Sequence, residues 1–390
     1  MTVPDRAPAR PIYLFVINSF LAGGAERSLL EFLPRLAAAG TTPVIACLTR
    51  SEVGFEDEVR AQGWDVRVVG GGGRLGAIRA LRRLIKQLRP ALVYTALFEA
   101  DIAGRVASIG IDVPVVSNLA NTAYDPARLA DPNVDARKLA VVRMIDGFTA
   151  RHLTDHFHAI SEAVKRSTVE TMGVPPERIT VVKRGRDPER LGEPSAQRSA
   201  TARRSLGLDP NAQVILTVGR EEYQKGHRHL VDAFATVAVS HPEAVLVIAG
   251  REGAASADLA ARIRGLGLGD HVRRLGHRDD VPEVLAAADL FVFPSLYEGL
   301  GGALIEAMAL GLPIVASDLA ALGEVVRPGE NADMVPATDA DALAAAITAL
   351  LDDEERRVAY GIRSRELFEE GFDADEAADA VVAMLASIAR

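Results

Sequence analysis

The chain contains little cysteine, few aromatic residues and no long apolar segment. Its one cysteine, Cys47, stands in an apolar run, so an internal disulfide is excluded and nothing indicates an oxidising compartment. No run approaches the ~20 apolar residues that a membrane span needs. The N-terminal segment MTVPDRAPARP lacks the apolar stretch of a signal peptide. We therefore expect a cytoplasmic protein.

Aromatic residues make up only 5% of the sequence, and they are not interleaved with the basic residues. This pattern argues against a nucleic-acid partner, because single-strand binding uses aromatic stacking platforms. The net charge of −9 is unevenly spread. Residues 1–195 carry 26 Lys and Arg against 22 Asp and Glu, whereas residues 196–390 carry 18 against 31. The basic half would suit an anionic acceptor or membrane surface, although an uneven scatter of charge is the simpler account.

Apolar strands alternate with amphipathic helices along all 390 residues, which predicts an α/β protein with two doubly wound, mostly parallel sheets. A polar stretch, residues 186–200, is the predicted linker. The predicted strands are 12–17, 42–48, 66–69, 91–95, 113–117, 156–160, 179–182, 214–218, 245–249, 272–275, 290–293 and 313–316.

The most informative run is FVFPSLYEGLGGALIEAMALGLPIVAS, residues 291–317. A buried strand is followed by a Gly-rich loop and a helix, with Glu298 on the loop and Glu306 inside an otherwise apolar helix. Leu300, Gly301 and Gly302 would present backbone N–H groups at the helix N-terminus, where anions bind. A carboxylate inside such a helix must be paired or face a ligand. This unit suits a sugar nucleotide, which offers phosphate, ribose and hexose together.

Arg220 and Lys225 follow the strand VILTVG, at the sheet edge where open α/β proteins bind ligands. A guanidinium and an ammonium there can neutralise a leaving diphosphate. Lys225 is one of only five lysines among 44 basic residues, so chance is a weaker explanation for a lysine at this motif position. The alternative interpretation is a solvated pair of loop charges.

These motifs resemble retaining GT-B glycosyltransferases, specifically glycosyltransferase family 4. The E-x7-E spacing of Glu298 and Glu306 is similar to the family signature. The further segments that carry the resemblance are VGREEYQKGHRHLVDAF (218–234), VLVIAGREG (245–253), VRRLGHRDDVPEVLAAADLFVFPS (272–295), NSFLAGGAERSLLEFLPRLAAAG (18–40) and HAISEAVKRSTVETMGVPPERITVVKRGRD (158–187). The resemblance implies a GT-B fold, with two Rossmann-like domains facing across a cleft. The N-terminal acceptor-binding domain would span residues 1–190, the nucleotide-sugar domain residues 191–371, and residues 372–390 would cross back onto the first.

The resemblance also implies a role for each site residue. Arg220 and Lys225 would stabilise the departing diphosphate, while Glu298 would hold hexose hydroxyls and Glu306 the ribose. No protein nucleophile is implied, and a same-face attack assisted by the departing phosphate fits best. The other implied donor contacts are Gly23, Gly24, Gly219, Gly276, His277, Arg278, Leu300, Gly301 and Gly302. For Gly23 and Gly24 the alternative is a simple turn after the first strand.

Two departures from the family pattern stand out. Many relatives carry a histidine after the strand VPVVSNL, where this chain has Ala120 and Asn121, and Asn118 or Asn121 would have to replace its sugar contact. Relatives also place Asn-Gly-hydrophobic-Asp where this chain has RGRD, residues 184–187. The arginines there would either read an acidic group of the donor or acceptor or cap the domain edge.

Three other features carry less weight. The D-x-D pairs at residues 339–341 and 373–375 precede Ala-rich helices, so we predict helix caps and no metal. His152, His156 and His158 are predicted to be surface residues. The helix Arg74–Arg89 has one apolar and one basic side, which leaves open weak association with an anionic membrane, peripheral at the inner membrane face. A core-facing helix with a solvated basic face is the more frequent arrangement.

We expect a metal-independent retaining hexosyltransferase without a cofactor. It would use a nucleotide sugar, with UDP favoured over GDP, and a glycan, glycolipid or small-molecule acceptor. Two alternatives remain at this point. A UDP-sugar epimerase or hydrolase of the same fold would need acid/base groups that do not stand out here, and a non-catalytic nucleotide-sugar-binding partner protein would be consistent with the missing histidine. The sequence does not determine the acceptor or the oligomeric state.

Overall fold

A computed structural model describes residues 10–20, 24–50 and 56–390 of the chain. They form two compact units. The first comprises residues up to Tyr124 together with Arg137–Arg184 and Asp375–Arg390, and the second comprises Asp125–Ala136 and Gly185–Ala374. The chain therefore enters the second unit briefly through residues 125–136, long before its main passage at residue 185.

Each unit is built on a parallel sheet, as the alternation of strands and helices predicts. The order is β3-β2-β1-β4-β5-β6-β7 in the first sheet and β10-β9-β8-β11-β12-β13 in the second. The strands are β1 (Ile12–Ile17), β2 (Thr42–Cys47), β3 (Asp65–Val68), β4 (Leu92–Ala96), β5 (Val115–Leu119), β6 (His156–Ala159), β7 (Ile179–Val181), β8 (Gln213–Val218), β9 (Ala244–Ala249), β10 (Val272–Gly276), β11 (Leu290–Phe293), β12 (Ile314–Ser317) and β13 (Ala332–Val335). The order reverses beside β1 and beside β8, which makes these the switch points where α/β sheets open a ligand crevice.

The helices cover both faces of the sheets. They are α1 (Gly24–Ala38), α2 (Glu56–Ala61), α3 (Gly73–Leu88), α4 (Phe98–Ser108), α5 (Ala136–Leu153), α6 (Glu162–Met172), α7 (Pro188–Leu191), α8 (Ala196–Ser205), α9 (His227–Ser240), α10 (Ser256–Gly265), α11 (Val281–Ala286), α12 (Gly302–Ala309), α13 (Ala340–Asp352), α14 (Glu354–Gly371) and α15 (Ala374–Ile388). Among the described residues no helix has the length and apolar character to cross a membrane.

The cores follow the apolar faces of these elements. In the first unit, α3 and α4 pack on one side of the sheet against Leu14, Val44 and Val93, while α1 and α15 pack with Phe15 and Tyr94. In the second unit, α9, α10 and α13 surround the inner strands β8, β9 and β11. Because strands of such sheets are buried on both faces, they read as continuous apolar runs, which is why most of them were predictable.

Three predictions about local structure were wrong. The predicted linker, residues 186–200, contains α7 and the start of α8, because Asp187 and Ser195 accept hydrogen bonds from backbone N–H groups and begin each helix. Strand β13 was not predicted, since its short ADMV sequence alternates poorly, yet it pairs with β12. His158 is buried rather than exposed, because Tyr94 Oη lies 2.8 Å from its Nδ1 and the carbonyl of Val182 lies 3.1 Å from its Nε2.

Candidate functional site

Residues that follow β8 and β11 converge at the switch point of the second sheet. The backbone of Gly219 continues β8 and donates to the carbonyl of Ala249 at 2.9 Å. A short 3-10 turn, Tyr223–Lys225, then ends at Gly226, whose φ of +64° suits glycine. A Cβ at Gly226 would stand 2.0 Å from the carbonyl oxygen of Pro294. This close approach of two backbones places Lys225 against the loop that follows β11.

Lys225 and Glu298 form the central contact of the site. The Lys225 ammonium lies 2.5 Å from Glu298 Oε1 and 5.1 Å from the centre of the Phe293 ring. The same carboxylate oxygen accepts a hydrogen bond of 2.9 Å from the Ser295 hydroxyl. The two charged side chains are 20% and 9% exposed. Two residues that the sequence placed 73 positions apart thus act as one ionic unit.

Arg220 stands differently from Lys225. Its side chain is 60% exposed, and its nearest acidic partner, Glu222, is 3.9 Å away. Such a long, exposed contact holds a side chain only weakly. The guanidinium is therefore able to reorient toward an anion at the carboxyl end of β8.

Leu300, Gly301 and Gly302 lie at the N-terminus of α12, and we call them the anion cradle after the role that the sequence predicts for them. Gly301 has a φ of +91° and precedes the helix, and none of the side chains that the structure describes caps this end of α12. The first N–H groups of a helix have no intrahelical partners and carry partial positive charge. Leu300 is buried beneath them, which fixes the loop. Phosphate binding at this end of α12 stays a prediction.

Glu306 is held by an arginine that the sequence left unassigned. The Nε of Arg186 donates to Glu306 Oε1 at 2.8 Å, and the side chains are 12% and 23% exposed. The same guanidinium donates to the carbonyl of Gly185, and a Cβ added at Gly302 would come within 2.3 Å of its terminal nitrogen. Arg186 therefore lies between Glu306 and the anion cradle. The sequence feature that could have pointed to Arg186 is the segment RGRD, residues 184–187, which departs from the family pattern.

A second buried ion pair, also missed from the sequence, supports the loop after β8. Glu221 is 1% exposed and accepts from Arg274 Nε at 2.8 Å. Burial raises the pKa of Glu221, but hydrogen bonds from Arg274 and Ser256 outweigh it, and the net effect lowers the pKa. The adjacent His227 is also buried, which lowers its pKa to about 4, and its Nδ1 has no hydrogen-bond partner among the described residues. His227 is thus neutral near pH 7.

The predicted contacts after β10 lie at the edge of the same sheet. Gly276 ends β10 with a φ of +67°, and its carbonyl accepts from Gly250 at 2.8 Å. His277 is half-exposed, and its Nε2 lies 3.3 Å from Asp279 Oδ1. Arg278 is already paired with Asp280 through a contact of 2.7 Å. The side chain of Arg278 is therefore engaged locally.

The remaining predicted residues belong to the first unit. Gly23 lies outside the described residues, and Gly24 begins α1. Asn118 is the last residue but one of β5 and is buried, and within the described part of the chain its Oδ1 has no partner. Asn121 Oδ1 instead accepts from the backbone N–H of Thr122 at 2.9 Å. Of the two asparagines, Asn118 keeps an acceptor atom available and Asn121 uses its own in a local turn.

The two D-x-D pairs differ, because the first caps a helix and Asp375 of the second lies inside α15 and forms a long-range ion pair. Asp339 accepts from the N–H of Ala342 at 2.9 Å and caps α13, as predicted. Asp375 pairs with Arg35, whose Nε lies 3.2 Å from its Oδ1. Across the described ranges no group of three or more His, Cys, Asp and Glu side chains is arranged to hold a metal ion.

Two family models match the chain, one over each half. The model described as Glycosyltransferase Family 4 matches residues 22–190, and the model described as Glycosyl transferases group 1 matches residues 199–367. Alpha-maltose-1-phosphate synthase of Mycolicibacterium smegmatis is 31% identical over 294 residues, which are 70% of this chain and 73% of that relative. The chain belongs to glycosyltransferase family 4.

Further comparisons agree with this family-4 assignment. The lipopolysaccharide core biosynthesis mannosyltransferase LpsB of Rhizobium meliloti is 32% identical over 217 residues, 54% of this chain and 61% of LpsB. Matches to such relatives span 51–73% of their own lengths. The crystal structure of Anabaena Alr3699/HepE in complex with UDP and glucose superimposes with a TM-score of 0.85 at 22% identity, covering 96% of this chain and 99% of that one. The predicted GT-B fold is confirmed.

Proposed function

We propose that this family-4 protein is a metal-independent, retaining hexosyltransferase that uses a nucleotide sugar, with a UDP-sugar favoured. The acceptor is a hydroxyl of a saccharide, glycolipid or small molecule. The observation that carries the proposal is the ion pair of Lys225 and Glu298 at the switch point, beside Arg220 and the anion cradle. The structure of HepE with UDP and glucose supports the choice of uridine as the first donor to test.

In this proposal the chain stabilises charge rather than forming a covalent intermediate. The bond between the anomeric carbon and the diphosphate oxygen breaks, and its electron pair goes to the diphosphate. Lys225, Arg220 and the N–H groups of the anion cradle offset that charge as it develops, which lowers the barrier. The acceptor oxygen attacks the same face of the sugar, and its proton passes to the departing phosphate oxygen. Glu298 orients both Lys225 and the sugar hydroxyls.

Arg186 acts as a positioning residue for the nucleotide. It occupies Glu306 Oε1, so the second carboxylate oxygen, Oε2, is the atom left to accept from the ribose hydroxyls. A carboxylate held by a guanidinium is fixed in orientation, which positions its second oxygen to accept hydrogen bonds. The guanidinium also lies beside Gly302, where it adds positive charge near the diphosphate.

A donor screen tests the function directly. Free nucleotide release is measured with UDP- and GDP-sugars and a mixed acceptor library, for the wild type, Lys225→Ala, Arg220→Ala and the control Lys165→Ala. We expect UDP-sugar turnover that falls about 10²-fold in each of the first two variants, the loss typical of a removed electrostatic stabiliser, and is unchanged in the control.

Four outcomes would contradict the proposal. Wild-type activity in both Lys225→Ala and Arg220→Ala would remove the site assignment. UDP binding without turnover of any donor would favour a non-catalytic binding protein, and nucleotide release without an acceptor would favour a hydrolase. Inversion of the anomeric configuration in the product would exclude the retaining mechanism.

A further inference from the structure

Helix α5 of the first unit exposes the side that an amphipathic helix ordinarily buries. Its apolar stripe, which we call the α5 stripe, consists of Val141, Met144, Ile145 and Phe148, at helical spacing i, i+3, i+4 and i+7. These side chains are 51%, 67%, 43% and 57% exposed, whereas the polar Asp146 and Thr149 on the opposite side are buried.

A buried ionic network explains this orientation. Arg105 of α4 is 1% exposed, lies 2.6 Å from Asp146 Oδ1 and donates to Thr149 Oγ1 at 3.1 Å. Tyr124 donates to the other oxygen of Asp146 at 2.7 Å. Breaking a buried charge pair costs several kcal/mol. The network therefore holds the polar side of α5 inward and the α5 stripe outward.

The α5 stripe borders an apolar cavity of about 610 Å³. Ile78 of α3, Phe98 and Ile102 of α4, and Ile145 of α5 line it. This volume falls in the range of ligand-binding pockets, and such a lining takes an apolar ligand. At its rim, Arg74 pairs with Glu99 at 3.0 Å, and Arg50 also lines the cavity.

The charge on this side of the unit is strongly positive. Helices α3 and α5 together carry nine Lys and Arg against one acidic residue, the buried Asp146, although the whole chain has a net charge of −9. Apolar residues beside basic ones on a helix surface are the pattern of interfacial membrane binding. A second copy of the chain would bring two equally basic faces together and repel.

We propose that α3, α4 and α5 form a docking surface for an anionic phospholipid bilayer, with one acyl chain entering the cavity. The α5 stripe enters the interface, and the exposed Arg79, Arg83 and Arg143 face the headgroups. This differs from the sequence hypothesis of a lone membrane-binding helix at residues 74–89, because Leu81, Leu84 and Ile85 of α3 point into the core. The proposal is independent of the proposed reaction, since it concerns none of the donor-site residues.

Vesicle flotation tests this surface. The full chain is mixed in 0.1 M NaCl with vesicles of phosphatidylcholine alone or of phosphatidylcholine with phosphatidylglycerol at about 70:30. We expect binding only to the anionic vesicles. Met144→Ser combined with Phe148→Ser should weaken it at least about tenfold, given the apolar surface removed. Arg79→Gln combined with Arg83→Gln should weaken it about 25-fold, or about fivefold for each charge.

Two controls separate membrane binding from folding and from general stickiness. Val239→Ser combined with Ile362→Ser removes apolar side chains that are 86% and 59% exposed in the second unit, and should bind like the wild type. All variants should keep wild-type UDP affinity by calorimetry. Binding that fails to distinguish anionic from neutral vesicles, or no binding at all, would overturn the proposal. So would a dimer that the α5-stripe variants abolish.

A fluorescence experiment tests occupation of the cavity. Phe98→Trp places an indole at the cavity wall, against a background of the single native Trp64. Anionic vesicles whose acyl chains carry bromine should quench this indole, whereas unbrominated vesicles of the same composition should not. Binding without quenching would show that the acyl chain does not enter, and would overturn that part of the proposal.

Discussion

The ion pair between Lys225 and Glu298 makes a strong prediction about non-additive mutations. Its atoms are 2.5 Å apart, and both side chains are largely buried. Lys225→Ala removes the proposed counter-charge of the diphosphate, which costs about 2.7 kcal/mol, or 10²-fold in kcat/KM. Glu298→Gln leaves the ammonium without its anchor, and we expect a loss of the same order. Close buried charge pairs couple by ~1.5–7 kcal/mol, and we take about 2 kcal/mol, near the lower end, because the Lys225 side chain keeps 20% of its exposure.

The double variant then has a calculable outcome. Without coupling it would lose about 5.4 kcal/mol, or about 10⁴-fold. With a coupling of about 2 kcal/mol it loses about 3.4 kcal/mol, which is about 300-fold. The assay is UDP release at subsaturating donor for the four proteins of the cycle, with unfolding in urea as the check on folding.

An exposed pair in the same unit supplies the matched control. Arg228 and Asp258 lie 3.1 Å apart with side chains 55% and 58% exposed, so substituting them to Gln and Asn should be additive and close to wild type. A 10⁴-fold loss in the Lys225→Ala, Glu298→Gln double variant would refute the reasoning. It would show that Lys225 and Glu298 are no longer paired when the donor is bound and the reaction occurs.

Three further predictions concern the nucleotide, metals and pH. Arg186→Gln should weaken UDP binding about tenfold by calorimetry, because Glu306 loses the charge-assisted bond that orients it, while the more exposed Arg190→Gln should leave binding unchanged; equal affinities for all three proteins would remove the positioning role. EDTA should leave donor turnover intact, and loss of turnover that a divalent ion restores would contradict metal independence. Burial lowers the pKa of His158 from 6.5 to about 4, so the unfolded state binds more protons between these values and stability falls as pH drops below 6.5. We compare the free energy of unfolding in urea at pH 7 and at pH 4. Between these pH values His158→Gln should lose about 3 kcal/mol less than the wild type, and the exposed His152→Gln should lose as much as the wild type. Identical losses for His158→Gln and the wild type would contradict this assignment.

The sequence predicted best what depends on neighbours along the chain. Strand β11 was predicted from its buried apolar run, and the loop after it from the glycines at 301 and 302. Helix α12 was predicted from the apolar residues that lie between this loop and Gly311. The same local logic placed Lys225 and Glu298 at one sheet edge, because the carboxyl ends of parallel strands lie together. It did not predict that the two side chains pair, since that depends on the approach of Gly226 to Pro294.

What the sequence could not supply depends on partners far along the chain. The partner of Glu306 lies 120 residues away, at Arg186, and no local pattern connects them. The spacing of Val141, Met144, Ile145 and Phe148 would ordinarily indicate a buried face. In α5 the apolar side is exposed and the polar side is buried, because Arg105 holds Asp146 inside the unit. His158 is likewise buried by Tyr94 and Val182, which no periodicity of its own strand indicates.

The order in which the two units are synthesised has a consequence for folding. The second unit is nearly contiguous, whereas the first is assembled from three stretches and receives α15 last. Ala378, Val381 and Leu385 of that helix fill the core beside β1 and α1. On the ribosome, the first unit therefore emerges early but waits with an open apolar face until all of the second has been made. During this delay the apolar face of the nascent N-terminal half stays exposed, as in folding intermediates that are prone to aggregate.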